Sequence, residues 1–213
     1  NDITSVDPYI TYLYTVNLDR HTGELRYAVD ADILDALPGA LRREGSAEAL
    51  KAGLIGDPEL VALFERDGAR ADLAEVVRRA VAVKAAVVGR DPRERGERAH
   101  LNYGHTIGHA VEVAAGWSHG TSVAVGMIAA GRASALMVGF GEERRQREVI
   151  GGLGLPVAAP GLSAGVVRSL VWQDKKRTTT GLRMVLLEAV GRPRLEPVGA
   201  ATVEAALTAV GIS

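Results

Sequence analysis

The stretch "LNYGHTIGHAVEVAAGWSHG", residues 101–120, contains three of the five histidines in the 213-residue chain. It also decides the fold. "LNYGHTIGHAVEVAAG" and the "HGTSVAVGMIAAGRASALMVG" that follows it both read as helices rich in Ala and Gly. Small side chains let helix axes approach closely, so the two are expected to cross in the core. On the first helix His105 and His109 stand one turn apart and share a face. His119 opens the second helix, after the turn at "AAGW", and is placed to return to the same point.

Outward from this pair the reading stays helical. "SAEALKAGLI", "DPELVALFERDG" and "ADLAEVVRRAVAVKAAVVGRD" repeat apolar residues at three- and four-residue spacing. In the second, Asp57 suits an N-cap, Pro58 the first helical position and Gly68 the end. In the third, Leu73, Val76, Val77, Ala80, Val81 and Val83 form one apolar face, with Arg78, Arg79 and Lys84 largely away from it. A polar arch, "GRDPRERGERAH", leads into the histidines. "EERRQREVIGGLG" and "ATVEAALTAV" are further helices, and "RMVLLEAVGRPRLEPV" is a small hairpin. The first 30 residues differ: "ITYLYTV" is strand-like, "DRHTGE" a turn and "LRYAV" a returning strand. The expectation is a mainly α chain with a strand and linker segment over 1–30 and a helical domain over 31–213.

Composition narrows the function. A net charge of −1 gives no broad attraction to nucleic acid or anionic lipid, so neither is expected as a partner. The absence of cysteine excludes disulfides, thiolate metal sites and a cysteine nucleophile. It agrees with a cytoplasmic location, as does the lack of a signal-like start. The longest apolar run, "TSVAVGMIAAGRASALM", is interrupted by Arg132 before it reaches the roughly 20 residues of a membrane span. No "GxGxxG" and no P-loop occur, so a dinucleotide-binding α/β domain is expected to be absent from this chain.

Two histidines and a carboxylate are a common ligand set for catalytic zinc, which also needs an open position. Periodicity leaves the carboxylate open among Glu48, Glu94 and Glu112. The blander reading makes His109 and His119 core or capping residues. An "HExxH" protease is excluded because Thr106, not Glu, follows His105. Lys84, Arg98, Lys175, Lys176 and Arg177 lie in or beside loops. "QDKKRTTTG" suits a phosphate, a carboxylate or plain solvent.

"LNYGHTIGHAVE", "HGTSVAVGM" and "DKKRTTTGLRMVLLEAVG", with "VDADILDALP" and "SAEALKAGLIGDPEL" before them, resemble the C-terminal half of 3-dehydroquinate synthase and related sugar phosphate cyclases. The resemblance runs in order from about Val29 to the end. It implies a Zn2+ or Co2+ ion on Glu48, His105 and His119. It implies catalytic roles for Lys84, Glu94 and His109, and substrate binding by Lys51, Arg98, Asn102, Lys175 and Lys176. It implies NAD as a second cofactor and a phosphorylated seven-carbon sugar acid as substrate, closed to a carbocycle with loss of phosphate in the shikimate pathway. The chain departs from the family in having no NAD-binding half and in carrying Ala52 where Tyr or Asn is usual. Three explanations stand open: the sequence is part of a longer chain, a second polypeptide supplies the NAD domain, or a lone domain has lost the chemistry; a homodimer or a partner chain bearing the NAD domain is the expected partner. Two other readings stand beside this one. One is an antibiotic-pathway cyclase of the amino-dehydroquinate or deoxy-inosose type, the latter disfavoured by Asn102. The other is a non-catalytic helical assembly domain.

Overall fold

The computed structural model describes residues 37–93, 96–173 and 181–213, together with the backbone of two short strands at 15–18 and 25–28. Those strands, β1 (Thr15–Leu18) and β2 (Leu25–Ala28), pair antiparallel with Thr15 opposite Ala28 and Leu18 opposite Leu25. β2 falls within the expected returning strand "LRYAV", while β1 shares only Thr15 and Val16 with the expected "ITYLYTV", the rest of which lies outside the described residues. "VDADILDALP" lies almost wholly outside the described residues.

The first helix, α1 (Gly39–Gly56), starts seven residues before the expected "SAEALKAGLI". Its opening turns are exposed, and burial begins at Ala47. α2 (Pro58–Asp67) begins as its sequence predicts. The Asp57 carboxylate accepts from the amides of Glu59 (3.1 Å) and Leu60 (3.3 Å), Pro58 takes the first position, and Gly68 ends the helix at φ 57°. α3 (Leu73–Arg90) is capped by Asp72, whose carboxylate accepts from Glu75 N at 2.8 Å. Its buried face is Val76, Val77, Val81, Val83 and Val87. Arg79 and Lys84 are half-buried rather than solvent-facing. Arg79 is drawn in because its guanidinium pairs with Asp57 at 2.9 Å and Glu75 at 2.7 Å.

The arch after α3 is organised by Asp91, a buried carboxylate that accepts from the amides of Gly96 (2.8 Å) and Arg98 (3.0 Å). A 3₁₀ segment over Glu97–Asn102 follows. Helix was expected from Leu101, but α4 spans only His105–Ala115, because Gly104 adopts φ +80° and breaks the chain direction just before His105. α5 (His119–Val138) is the central helix, buried at every residue from Ser122 to Gly131. By length and composition it would suit a membrane, but 67 % of its apolar window is buried inside the fold, as in a core helix.

α4, α1, α6 (Glu143–Gly152), α8 (Ala200–Ala209) and strand β3 (Arg183–Ala189) all pack on α5. The expected crossing of the two small-residue helices is present and unusually close. A Cβ at Gly126 would overlap the carbonyl oxygen of Gly104 and stand 2.7 Å from the amide nitrogen of Gly108. β3 pairs antiparallel with β4 (Arg192–Pro197), with a bulge between Leu187 and Ala189. Ser134 stitches this hairpin to α5, its Oγ donating to Ala130 O (2.6 Å) and accepting from Leu187 N (2.9 Å). One helix, α7 (Ala164–Gln173), has no counterpart in the sequence reading. It packs against α4.

Candidate metal centre

Glu48 projects from the middle of α1, His105 is the first residue of α4, and His119 is the first residue of α5. Each histidine thus sits beside a fixed chain reversal, at Gly104 before α4 and at 116–118 between the helices. The third approach is set at Gly120, where a Cβ would lie 2.6 Å from Glu44 O, so the start of α5 presses directly on the α1 backbone one turn before Glu48. Glu48 Oε1 ends 3.7 Å from His105 Nε2 and 3.4 Å from His119 Nε2.

The outer nitrogens fix the tautomers. His105 Nδ1 stands 3.2 Å from the carbonyl oxygen of Tyr103, which has no proton to give, so Nδ1–H donates and Nε2 keeps its lone pair. His119 Nδ1 stands 3.0 Å from Glu112 Oε2, and the same reasoning leaves the lone pair of His119 on Nε2. Tyr103 is itself held firmly: its buried hydroxyl donates to Gln146 Oε1 at 2.8 Å, and Gln146 Nε2 donates to Met127 O.

Three lone pairs therefore converge with no proton among them, and Glu48 Oε1 is buried without accepting a hydrogen bond. Such an arrangement is costly unless a cation fills it. Two ligands about 2.0–2.1 Å from a tetrahedral ion stand about 3.3–3.4 Å apart, so the spacing suits zinc or a similar divalent metal. The protonation states agree. Burial pushes His105 down to about 3, helped by the Lys51 ammonium and opposed by the Glu48 carboxylate, so the ring is neutral at physiological pH, the form that binds metal. Burial alone would raise the Glu48 carboxyl. The adjacent Lys51 ammonium acts against it, and Glu48 is held well below the usual carboxylate range. Lys51 Nζ lies 2.7 Å from Glu48 Oε2, leaving Oε1 for the histidines.

Beside this group opens a cavity of about 530 Å³. His105, Thr106, His109 and Val113 of α4 form one wall, Ala99 and Asn102 another, and α7 and the hairpin the rest. His109 is exposed there, its ring centroid 5.0 Å from that of His105 and 5.8 Å from that of His119. The remaining candidates separate. Asn102 lines the cavity, and Lys51 lies buried against Glu48. Arg98 is half-buried one turn before Asn102, its guanidinium donating to Pro92 O at 3.3 Å. Lys84 is half-buried on α3 and does not line the cavity. Glu94, Lys175 and Lys176 lie outside the described residues. Sequence reasoning did not single out Arg183, an exposed cation on the cavity wall just beyond the basic loop, nor Tyr103, whose contribution is a backbone oxygen that no side-chain pattern reports. Glu112 was weighed there only as a ligand.

Comparison with known proteins agrees with this geometry. Residues 45–177 match the family described as 3-dehydroquinate synthase C-terminal. The chain is 40 % identical to 3-dehydroquinate synthase of Corynebacterium jeikeium over 178 residues, covering 79 % of this chain and 48 % of that protein. It is 40 % identical to that of Pseudarthrobacter chlorophenolicus over 179 residues, covering 77 % and 48 %. The chain thus spans about half the length of the curated relatives it matches. Among solved structures it resembles 2-epi-5-epi-valiolone synthase from Streptomyces hygroscopicus subsp. jinggangensis, which has NAD+ and Zn2+ bound. The TM-score is 0.76 at 26 % identity, over 85 % of this chain and 54 % of that one. It also resembles 2-deoxy-scyllo-inosose synthase complexed with carbaglucose-6-phosphate, NAD+ and Co2+, with TM-score 0.71 at 26 % identity, over 84 % and 55 %. By its sequence over 45–177 and by its helical architecture, the chain belongs to the 3-dehydroquinate synthase C-terminal family, among the sugar phosphate cyclases.

Proposed function

We propose that this chain is the metal- and substrate-binding half of a 3-dehydroquinate synthase, a phosphate-eliminating cyclase of the cytoplasm. Its substrate is 3-deoxy-D-arabino-heptulosonate 7-phosphate. The observation that carries the reading is the convergence of Glu48 Oε1 with the Nε2 atoms of His105 and His119 beside an open cavity. Glu48, His105 and His119 would hold Zn2+ or Co2+, which as a Lewis acid polarises a substrate oxygen and eases loss of its proton.

The protein's own residues do the positioning. Asn102 and His109, on the cavity wall, bind and orient substrate hydroxyls near the metal ligands. Lys51 keeps Glu48 ionised and directed inward. Lys84, Arg98, Lys175 and Lys176 are assigned the substrate carboxylate and phosphate by their match to the family's pattern, and Glu94 a proton-handling role on the same ground. The leaving phosphate can act as base for its own elimination, so orientation is the protein's main contribution. NAD, present in both structural relatives, would supply reversible hydride transfer. The described residues contain no parallel strand–helix–strand unit, and none of them is given a part in holding it.

An antibiotic-pathway cyclase is the second reading, favoured by the structural likenesses. Against it stands the higher identity to named dehydroquinate synthases, and the neutral Asn102 on the cavity wall stands against its deoxy-inosose type alone. The test is phosphate release by the protein purified from its natural source, with Zn2+ and NAD+. Release from the heptulosonate phosphate and not from glucose 6-phosphate supports the proposal. Release from glucose 6-phosphate instead assigns the deoxy-inosose reaction, and bound metal with no release from either substrate overturns the proposal.

A further inference from the structure

The two ligand imidazoles are backed unequally. His105 donates its Nδ1–H to a neutral backbone carbonyl, that of Tyr103, at 3.2 Å, whereas His119 donates to a carboxylate, Glu112, at 3.0 Å. The backing carboxylate comes from the other helix of the pair: Glu112 lies two turns along α4 from His105, while His119 begins α5. A charged acceptor on Nδ1 fixes the ring orientation and the tautomer. It also raises electron density at Nε2, making that nitrogen the better metal ligand.

We infer that Glu112 is a positioning residue for the metal centre, acting on the ion through His119 and not as a ligand of its own. The inference rests on the metal reading given above. A rival exists on the same atoms. His109, Glu112 and His119 present donor atoms within 4.8 Å of one another, a grouping able in principle to take a cation. Geometry favours the positioning role. A second ion on that side would need His119 Nδ1, whose proton the Glu112 contact already uses. His109, the third member, is exposed on the cavity wall, where a substrate would meet it.

The test is titration of Co2+ into the metal-free full chain, read by calorimetry and by the visible ligand-field spectrum. The wild type is expected to bind one ion. Glu112→Ala is expected to bind it about 10–100-fold more weakly with altered Co2+ bands, while the circular dichroism of the metal-free chain is unchanged. Glu112→Gln, whose amide oxygen can still accept from Nδ1–H, is expected to recover most of the affinity while keeping a shifted spectrum. Equal affinity and identical spectra in all three proteins would overturn the inference and leave the metal centre standing. So would two ions per wild-type chain with one lost in His109→Ala. A wild type that binds no ion would bring down the metal reading and Glu112 with it.

Discussion

Two helix contacts in this protein are built in opposite ways. At the α4–α5 crossing, backbone meets backbone: Gly126 sits against Gly104 O and Gly108 N. At the α1–α2–α3 corner, side chains do the work. Asp57 caps α2 and pairs with Arg79 of α3, and the end of α1 at Gly56 faces the methyls of Val83. A backbone contact cannot yield by changing rotamer, and a side-chain contact can. The rigid contact is the one that sets the separation of His105 and His119. The compliant one lies away from the ligands.

The sharpest way to break this contrast is Gly126→Ala. The added methyl has no direction in which to move except by parting α4 from α5. The expected cost is about 3 kcal/mol or more, at the upper end for overpacking, together with a marked loss of Co2+ affinity as the histidines separate. Urea unfolding and metal titration would measure both. A variant that melts with the wild type would show that the crossing is softer than its geometry implies.

The contrast also explains what the sequence could convey. The crossing was legible because Ala and Gly recur along both helices, and a stretch so free of bulk can only pack closely. The caps at Asp57 and Asp72 were legible in part, since Asp57, Pro58 and Gly68 carry their meaning in residue type. α7 escaped because its ten residues are β-branched at Val166, Val167 and Val171, a composition equally suited to a strand. The break at Gly104 escaped because a glycine within a helical pattern does not announce its φ. Within the site, the approach of His119 to His105 was legible, because His119 opens the helix that follows the turn after the His105 helix; that His105 itself begins a helix was not. Glu48 was not legible either, because it lies 57 residues before His105 and no period links them. Family resemblance supplied it, and the coordinates then brought its carboxylate to both rings. Glu112 was visible as a carboxylate on the histidine face, but spacing could not separate a ligand from the residue that orients one.

At the compliant corner, Asp57→Ala is the intermediate case. It removes the α2 cap, at a cost of about 1–2 kcal/mol, and frees Arg79 from one of its two carboxylates. Metal affinity is expected to stay within twofold of wild type, because the partners of Asp57 are Glu59, Leu60 and Arg79, none of them a metal ligand. Loss of stability without loss of Co2+ binding would separate the two regions. A parallel fall in both would join them into one cooperative unit.

The smallest effect is expected from Gly56→Ala, and it makes the comparison quantitative. The new Cβ would approach Val83 Cγ1 at 2.8 Å, whereas one on Gly126 would stand 2.7 Å from Gly108 N and overlap Gly104 O. The obstacle here is a methyl on a side chain at the edge of the corner, with Gly56 itself exposed. Val83 can turn or lean, and replacing glycine by alanine in a helix returns up to about 1 kcal/mol of conformational entropy. The two terms oppose each other, so the stability change is expected within about 1 kcal/mol of zero, read by urea unfolding beside Gly126→Ala. A cost approaching that of Gly126→Ala would mean that the corner is as unyielding as the crossing. A near-neutral result would show that Val83 gives way to the new methyl, as a side-chain obstacle can and the backbone facing Gly126 cannot.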